Sequence, residues 1–392
     1  MTASAPAGAD PAHLELELPS GPLPLGFARG PDSLYLVARD RAARWPTQVL
    51  RSGFARVRLN DRPTGGSARL VTDPEERSRI LALFLARYGR PEFDRWYANP
   101  ARVLEVVIDR PVELRAPEAR YRAWLEAEFD NVARDYDRHI TGNRINRLLR
   151  DRSLAELRRS FRQARRLLEV GCGSGMETLP LLREGHELVC VDISARMLDV
   201  VREKARAEGL QERLETVHIA AAELPQLVVR YGHGRFDGAY STYGALNCEA
   251  DLGPIVSSLA DLLPPGAPFV AGVYNRFCLF ELLGYGLTGQ WRRATARTRH
   301  PIPVGTSRFC VDVFAFSTSE FRARFDPWFL VERLEGVPVL LPPSDLVNLT
   351  ERWRNGFDRF ARLDRTVAGR WPFRLLGDHF LMTLRRRPDA AR

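Results

Sequence analysis

Short apolar runs alternate with amphipathic stretches of about 10–15 residues between residues 165 and 275. The apolar runs predict buried strands at Arg165–Gly171, Glu187–Asp192, Leu214–Ile219, Phe236–Ser241 and Pro268–Tyr274. The stretches between them predict helices, one of which begins after Ser194 and ends at Gly209. Strands that alternate with helices pair in parallel through crossovers, so this region predicts a doubly wound α/β sheet.

The alternation continues towards the end of the sequence, where it predicts two more strands. These strands are Phe329–Leu334 and a closing strand at His379–Leu384, and a capping box at Ser317–Glu320 predicts the start of a helix. Two segments break the alternation, at residues 284–310 and 342–375, and we expect them to be insertions. The pattern therefore predicts a mostly parallel, seven-stranded sheet.

Residues 31–115 show a different pattern, with shorter alternating segments and Asn-Asp and Gly-Gly turns. Strands are predicted at Ser33–Val37, Thr47–Arg51, Phe54–Asn60, Ala68–Thr72 and Ala101–Ile108. A helix is predicted from Asp73 to about Tyr88. We therefore expect three parts: a flexible segment at 1–30, a small α+β domain at 31–115 and the sheet domain at 120–392.

The composition is that of a globular protein. The chain has 392 residues, of which 45% are hydrophobic and 27% charged, and no apolar run reaches the roughly 18 residues that a membrane span requires. The formal charge of +9 is spread along the chain, and Lys204 is the single lysine among 58 basic residues. A nucleic-acid surface should concentrate its charge in a patch, so we predict no nucleic-acid partner.

The cysteines lie far apart and form no CxxC pair, at positions 172, 190, 248, 278 and 310. The seven histidines likewise show no metal-binding spacing. This scattered set is typical of reduced thiols, so we predict a cytoplasmic protein without a metal site.

One glycine-rich turn carries the chemistry. The segment Glu169–Gly175 (EVGCGSG) joins a predicted strand to a predicted helix, where glycines allow a ligand close to the backbone and to free N–H groups. Asp192 ends the next strand, where a carboxylate accepts hydrogen bonds from a ribose diol. Together these features predict a nucleoside cofactor.

The spacing distinguishes between two such cofactors. The dinucleotide fingerprint G-x-G-x-x-G places its third glycine two residues beyond the second, whereas here Gly175 is followed by Met176. Glu169 also suits a cationic amino group better than a pyrophosphate. Both points favour S-adenosylmethionine (SAM) over NAD.

At these residues the sequence resembles the class I SAM-dependent methyltransferases, over residues 125–386. The similar segments are LLEVGCGSG, VDIS, FDGAYSTYGALN and the preceding stretch Phe129–Asp137. The resemblance implies a Rossmann-like fold and cofactor contacts from Tyr136, Glu169, Gly171, Cys172, Gly173, Gly175, Asp192, Ile193, Glu223 and Ser241. One departure concerns adenine, because an alanine occupies the usual acidic position in Ala220–Pro225, so either Glu223 or main-chain atoms take over.

Methyl transfer needs alignment above all, and a general base only if the acceptor must lose a proton. Candidates should follow the carboxyl ends of the strands. The residues that we select as catalytic are Tyr243 and Asn247 after the fourth strand and His300 in the first insertion. Further candidates are Tyr240, also at the fourth strand, and Tyr274 and Arg276 after the fifth. His379 is expected to be structural, on the premise that a closing antiparallel strand begins at the opposite sheet edge.

The N-terminal domain carries a second resemblance. Residues 68–89 (ARLVTDPEERSRILALFLARYG) are similar to the deazaflavin-dependent nitroreductase split barrels, but the phosphate-binding segment expected before them is missing. This resemblance implies a shortened split barrel without flavin that docks or dimerises.

Three function classes follow. The leading hypothesis is a SAM-dependent methyltransferase acting at oxygen or carbon of a small molecule. The alternatives are a flavin- or deazaflavin-dependent reductase and a non-catalytic SAM-binding protein. RNA methylation is a weaker option that rests on the arginines between 292 and 299.

Overall fold

The structure is a computed structural model of the whole chain. It describes residues 14–18, 21–30, 33–40, 42–52, 54–59, 62–108, 117–130, 132–299, 302, 313–346, 349 and 356–388. The chain divides into two compact units, of which the first lies before residue 132 and the second comprises 132–303 and 312–392. Within the described ranges no helix has the length and apolar character needed to cross a membrane.

The first unit is built on one antiparallel sheet. Its strands are β1 (Leu14–Leu18), β2 (Gly21–Leu25), β3 (Phe27–Arg29), β4 (Ser33–Ala38), β5 (Phe54–Leu59), β6 (Arg62–Leu70) and β7 (Arg102–Ile108). Its helices are α1 (Trp45–Ser52), α2 (Pro74–Trp96) and α3 (Pro117–Asp130). The strand order is β2-β1-β5-β6-β7-β4-β3, and every neighbouring pair is antiparallel. This small α+β unit was predicted, although its boundaries differ from those expected.

Two predictions about the first unit are wrong. Residues 14–29 form three strands rather than a flexible segment, because β1 pairs with both β2 and β5. Thr47–Arg51, predicted as a strand, lies in α1, where Trp45 and Val49 are buried one helical turn apart. The start of α2 is confirmed, since Asp73 Oδ1 accepts the Glu76 N–H at 2.7 Å.

The second unit contains the α/β sheet. Its strands are β8 (Arg166–Val170), β9 (Glu187–Asp192), β10 (Leu214–His218), β11 (Gly238–Ser241), β12 (Pro268–Tyr274), β13 (Phe329–Val337) and β14 (His379–Arg386). Its helices are α4 (Tyr136–Thr141), α5 (Arg144–Ser160), α6 (Thr178–Arg183), α7 (Ala195–Ala207), α8 (Pro225–Tyr231), α9 (Gly253–Leu262), α10 (Leu279–Leu287), α11 (Trp291–Ala294), α12 (Thr318–Phe325) and α13 (Phe357–Val367).

The strand order in this sheet is β10-β9-β8-β11-β12-β14-β13, with the first five strands parallel. β14 runs antiparallel between β12 and β13, and its first residue, His379, pairs with Tyr274 at the end of β12. The predicted mostly parallel, seven-stranded sheet is therefore confirmed. The sheet edge expected for His379 is wrong, because an antiparallel strand begins at the edge where its parallel neighbour ends.

Helices cover both faces of this sheet, which explains the continuous apolar runs of its strands. Phe269, Phe325 and Phe329 belong to the core on one face, and Phe161 and Tyr240 to the core on the other. The order of the strands reverses around β8, so ligands are expected beyond the carboxyl ends of β8 and β11.

The helix starts predicted in this unit are confirmed. Ser194 Oγ accepts the Met197 N–H at 3.1 Å at the start of α7. Ser317 and Glu320 form the capping box that begins α12.

Candidate functional site

The glycine turn after β8 has a backbone that only glycine adopts readily. Gly171, Gly173 and Gly175 have φ angles of 77°, 51° and 81°. A Cβ atom on Gly171 would lie 2.1 Å from the Ala245 Cβ, so the turn packs tightly there. A Cβ on Gly173 would meet only the Tyr136 ring, at 3.8 Å. The turn is therefore closed at Gly171 and open at Gly173, where a ligand can approach the main chain under Tyr136.

Asp192 connects this turn to the next strand. Its Oδ2 accepts the Gly173 N–H at 2.7 Å, and its Oδ1 accepts the Ser194 N–H at 2.9 Å. The carboxylate ends β9 and retains 8% exposure. A carboxylate oxygen can accept more than one hydrogen bond, so ribose hydroxyls can share these atoms with the backbone.

Glu169 lies beneath the turn. It is 2% exposed, and its Oε2 accepts from the Thr178 hydroxyl at 2.5 Å and from the Cys190 thiol at 3.3 Å. Burial raises the pKa of the Glu169 carboxyl to about 8. The side chain thus ties β8 to α6 and β9, and its contact with a cofactor stays a prediction.

Other side chains predicted to contact the cofactor are engaged elsewhere. The Cys172 side chain is buried in the core, and the Ser241 hydroxyl donates to the Val170 carbonyl at 2.7 Å. Glu223 Oε2 accepts the Ala220 N–H at 2.9 Å. For these residues the geometry favours main-chain contacts to a ligand over side-chain contacts, and Ile193, half-buried after Asp192, stays a prediction for adenine.

A network that the sequence analysis missed fastens helix α4 to the turn. Lys204, the single lysine of the chain, donates to the Ser174 carbonyl at 2.7 Å and forms an ion pair with Asp137. Asp137 also accepts a hydrogen bond from the Ser174 hydroxyl. The isolated lysine in an arginine-rich sequence was the signal that could have identified it. This network holds Tyr136, the first residue of α4, above Gly173.

A buried ion pair borders the same space. Arg150 in α5 pairs with Glu177, which is 1% exposed and also accepts from the Ser153 hydroxyl at 3.3 Å. Although burial opposes the charge, Glu177 raises the pKa of the Arg150 guanidinium. Burial raises the pKa of the Tyr136 hydroxyl, which lies within electrostatic range of this pair. The Arg150–Glu177 ion pair therefore places two fixed charges beside the turn.

Tyr243 occupies strained backbone just after β11. Its φ of 56° is the single positive value of a non-glycine residue in the described part of the chain. Its hydroxyl donates to the Leu149 carbonyl, and Arg150 lies 4.8 Å from its ring centroid. Its ring meets His379 edge-on at 5.6 Å. The Tyr243 ring thus lies against Arg150 and His379, and its catalytic role stays a prediction.

The other two catalytic predictions fare differently. Asn247 is 2% exposed, and its side-chain amide bonds the main chain of Tyr274 (2.9 Å) and of Phe314 (2.7 Å). These bonds connect the end of β12 to the segment that precedes α12. His300 lies outside the described residues.

A second charged cluster follows β12. Arg297 is 2% exposed, donates to Glu281 at 2.8 Å and to Asp378 Oδ1 at 2.6 Å, and stacks on the Tyr274 ring at 4.0 Å. Cys278, Glu281 and Asp378 have the spacing of a metal site. The Arg297 guanidinium bonds both carboxylates of that trio, so this cation already balances their charge.

Comparisons with known proteins agree with this geometry. The family model described as a methyltransferase domain matches residues 167–266, which include the glycine turn and Asp192. The chain is 29% identical over 163 residues to the tRNA 5-carboxymethoxyuridine methyltransferase of Escherichia coli (strain K12). The matched region covers 38% of this chain and 57% of that protein.

The chain is also 29% identical over 166 residues to the ubiquinone biosynthesis O-methyltransferase of Caulobacter sp. (strain K31), covering 41% of this chain and 63% of that protein. The chain thus spans about three-fifths of the length of the curated relatives that it matches.

One solved structure with a similar shape is the 1,6-didemethyltoxoflavin-N1-methyltransferase of Burkholderia thailandensis with bound S-adenosylhomocysteine (SAH). It has a TM-score of 0.43 and 18% identity, and it covers 72% of this chain and 96% of that chain. This likeness is too low for inference about a ligand, so the assignment of the turn rests on the family match and on the geometry above.

Proposed function

We propose, from the premise that residues 167–266 are a methyltransferase domain with SAM as its cofactor, that the whole chain methylates an oxygen or carbon atom of a small-molecule acceptor. The observation that carries the proposal is the bond between Asp192 and the Gly173 N–H, which brings an acidic group and an open glycine backbone together. A pocket with these two features suits a cationic nucleoside.

The bound cofactor supplies a methyl group on a sulfonium, which is already an activated electrophile. The task of the protein is therefore to bind and align, and good alignment is worth about 7–11 kcal/mol of the barrier in favourable systems. Asp192 would accept from the ribose hydroxyls, and Tyr136 would lie over the methionine end above Gly173. Lys204 and Asp137 hold α4 in place for this contact.

The two relatives favour different acceptors, since one is a tRNA methyltransferase and the other belongs to ubiquinone biosynthesis. The small-molecule acceptor is supported by Arg297, which belongs to the arginine stretch considered for RNA. Its guanidinium is buried in ion pairs with Glu281 and Asp378 and so is turned away from any phosphate backbone.

The tRNA relative makes RNA methylation the second candidate. Binding of bulk tRNA to the full chain at several salt concentrations separates the two. Phosphate recognition predicts an affinity that falls steeply with salt, by about one power of the salt concentration for each phosphate neutralised. A flat, weak response supports the small-molecule acceptor.

The ribose assignment is tested by Asp192→Ala. Removal of charge-assisted hydrogen bonds worth about 1.5–3 kcal/mol should weaken SAH binding by roughly 10–100-fold, as measured by calorimetry. Asp199→Ala is the matched control, because this acid lies on the exposed side of α7 and pairs only with Arg202 among the partners described. Equal SAH affinity in both variants would refute the assignment.

A non-catalytic SAM-binding role predicts a different outcome. Such a protein would bind SAM with the same dependence on Asp192 yet release no SAH with any acceptor. Release of SAH with a methylated product supports an enzyme.

For the first unit we propose the shortened split barrel that residues 68–89 resemble, acting in docking or homodimerisation without flavin. Its antiparallel seven-stranded sheet supports the proposal. A purified full chain without visible absorbance, eluting as a dimer, is expected. A bound yellow cofactor would instead favour a flavin- or deazaflavin-dependent reductase.

A further inference from the structure

The start of β14 carries a histidine paired with a buried acid. Asp378 is 1% exposed, and its Oδ2 lies 3.1 Å from Nδ1 of His379. Resting on the proposed function, we propose that His379 is the general base that accepts the proton of an acceptor hydroxyl, and that the acceptor is a phenol or a similar ring-bound enol. Neither the family match nor the relatives assign this residue a role.

His379 lies on the correct edge of the sheet for this role. It pairs in register with Tyr274, the last residue of β12, so it stands where the parallel strands end. A chain of contacts links it to the glycine turn: the Tyr243 ring meets the His379 ring at 5.6 Å, and two residues later Ala245 packs against Gly171. The base thus lies at the same edge of the sheet as the turn that would hold the methyl donor, with β11 and β12 between their strands.

The pairing also fixes which nitrogen acts. The Asp378 carboxylate is held ionised because, although burial opposes the charge, Arg297 lowers the pKa of Asp378 to about 2. An ionised carboxylate accepts, so Nδ1 of His379 must donate to it and Nε2 carries the lone pair. The His379 side chain keeps 13% exposure, so it is not fully buried in the core. An acid that orients a histidine in this way is the arrangement used by general bases.

The surrounding groups select the acceptor. The rings of Tyr243 and Tyr274 meet His379 edge-on at 5.6 and 5.1 Å, and Arg297 lies over the Tyr274 ring at 4.0 Å. Aromatic walls favour a flat acceptor. A neutral imidazole removes a proton from a phenolic hydroxyl, with a pKa of about 10, far more readily than from an aliphatic alcohol.

The step balances without a further reagent. The proton of the acceptor hydroxyl passes to Nε2 of His379, and the acceptor oxygen forms a bond to the methyl carbon. The sulfur–methyl bond breaks, and its electron pair stays on sulfur to give SAH. The imidazolium then returns its proton to water.

Catechol serves as the acceptor probe, and methylated catechol and SAH are measured with the full chain. His379→Gln should lower kcat by about 10²–10⁴-fold, the usual contribution of a general base. His186→Gln is the matched control. His186 is also nearly buried, with Nδ1 bonded to the Ala164 carbonyl at 2.9 Å, but it precedes β9 at the opposite edge of the sheet.

The pH profile separates a base from a structural histidine. With wild type, the rate should show an acidic limb, and this limb should vanish in His379→Gln. The groups that face the imidazole and share its field are Asp378, Tyr243, Tyr274 and Arg297. His379→Asn serves as a second variant should the first fail to fold.

SAH affinity distinguishes the two proposals. A slow His379→Gln with SAH binding within about twofold of wild type supports the base. A wild-type rate and an unchanged acidic limb in that variant overturn it, and wild type that binds SAH but leaves catechol unmethylated overturns the phenolic acceptor. Wild type that binds no SAH refutes the proposed function itself.

Discussion

The two halves of the second unit each bury a carboxyl group and stabilise it in opposite ways. In the half that would hold the cofactor, Glu169 bonds the neutral Thr178 hydroxyl, and no cation pairs with it among the residues described. Burial raises its pKa to about 8. In the half that would hold the acceptor, Asp378 pairs with Arg297 and its pKa is lowered to about 2 despite burial. Burial thus favours the protonated form of Glu169, whereas Arg297 favours the ionised form of Asp378.

This difference goes with the sequence separation of the residues that contact one another in each half. The glycine turn and the acids of the cofactor half lie in a short stretch, residues 166–194, whose turn and strands contact one another locally. The acceptor half is built by residues far apart in sequence, since Arg297 and Asp378 are separated by 81 positions. Glu169 in the local arrangement has no cation beside it among the residues described, whereas Asp378 in the distant arrangement is paired with Arg297.

The largest test of this contrast concerns Glu169. Because its folded-state pKa is raised from 4.5 to about 8, the folded state binds more protons between these pH values, and stability falls as the pH rises through them. The loss is on the order of 5 kcal/mol at about 1.4 kcal/mol per pKa unit. Glu169→Gln cannot ionise, so urea unfolding should show it gaining on wild type from pH 5 to pH 8.

Glu335→Gln should change the pH dependence of stability in the opposite direction to Glu169→Gln. Burial opposes ionisation of Glu335, but Arg152 at 2.7 Å lowers its pKa, so its contribution to stability is present above pH 4.5 and is lost in acid. This variant should therefore lose stability relative to wild type at pH 7. Parallel stability curves for Glu169→Gln and wild type would contradict the neutral state of Glu169.

In the acceptor half, Arg297→Met removes the cation from two buried acids. Glu281 and Asp378 would be left without their partner, and breaking such a buried pair costs about 3–5 kcal/mol. Urea unfolding at pH 7 measures the loss, which should shrink in acid as the carboxylates gain protons. Arg293→Met is the control, since this exposed arginine bonds only Gln290 among the side chains described and should change stability by about 0.5 kcal/mol or less.

The cofactor half was predictable because its geometry follows local rules. The strand Glu187–Asp192 has the predicted bounds, and Ser194 caps the helix after it. The turn at Gly171–Gly175 has the positive φ angles that its glycines indicated. Each of these features depends on neighbours within a few residues, which is the range that propensity, capping and turn chemistry describe.

The remaining features depend on contacts that a single sequence does not reveal. Thr47–Arg51 is a short run whose spacing suits either a strand or a helix, and burial of Trp45 and Val49 decides for the helix. The position of His379 depends on the edge of the sheet at which β14 begins, and the sequence predicted the opposite edge. The role of Arg297 depends on Asp378, far along the chain.

Gly171→Ala probes the closed end of the glycine turn. The added methyl group would meet Ala245 at 2.1 Å, in a backbone with φ of 77°. Overpacking costs about 1–3 kcal/mol and the left-handed backbone about 1–2 kcal/mol, so we expect a loss of about 3 kcal/mol and weaker SAH binding. Gly209→Ala has φ of 70° with open space around it and should lose about 1 kcal/mol. Equal losses of stability in Gly171→Ala and Gly209→Ala would show that Ala245 can shift to make room for the added methyl group.

The smallest effect is expected from Lys204→Met, which would remove the Lys204 part of the link between α4 and the glycine turn and leave the bond between Asp137 and the Ser174 hydroxyl. Lys204 and Asp137 are about one-third exposed, so solvent screens their ion pair and the stability loss should be about 0.5–1 kcal/mol. The bond to the Ser174 carbonyl positions the turn itself, so SAH affinity should fall by a few-fold while catechol methylation at saturating SAM stays close to wild type.

Lys204→Arg keeps the charge with a different shape. If it restores SAH affinity, the charge matters, and if it does not, the geometry of the single lysine does. A loss of catalytic rate instead of cofactor affinity would contradict the separation of the two halves, because Lys204 contacts only the cofactor half among the residues described.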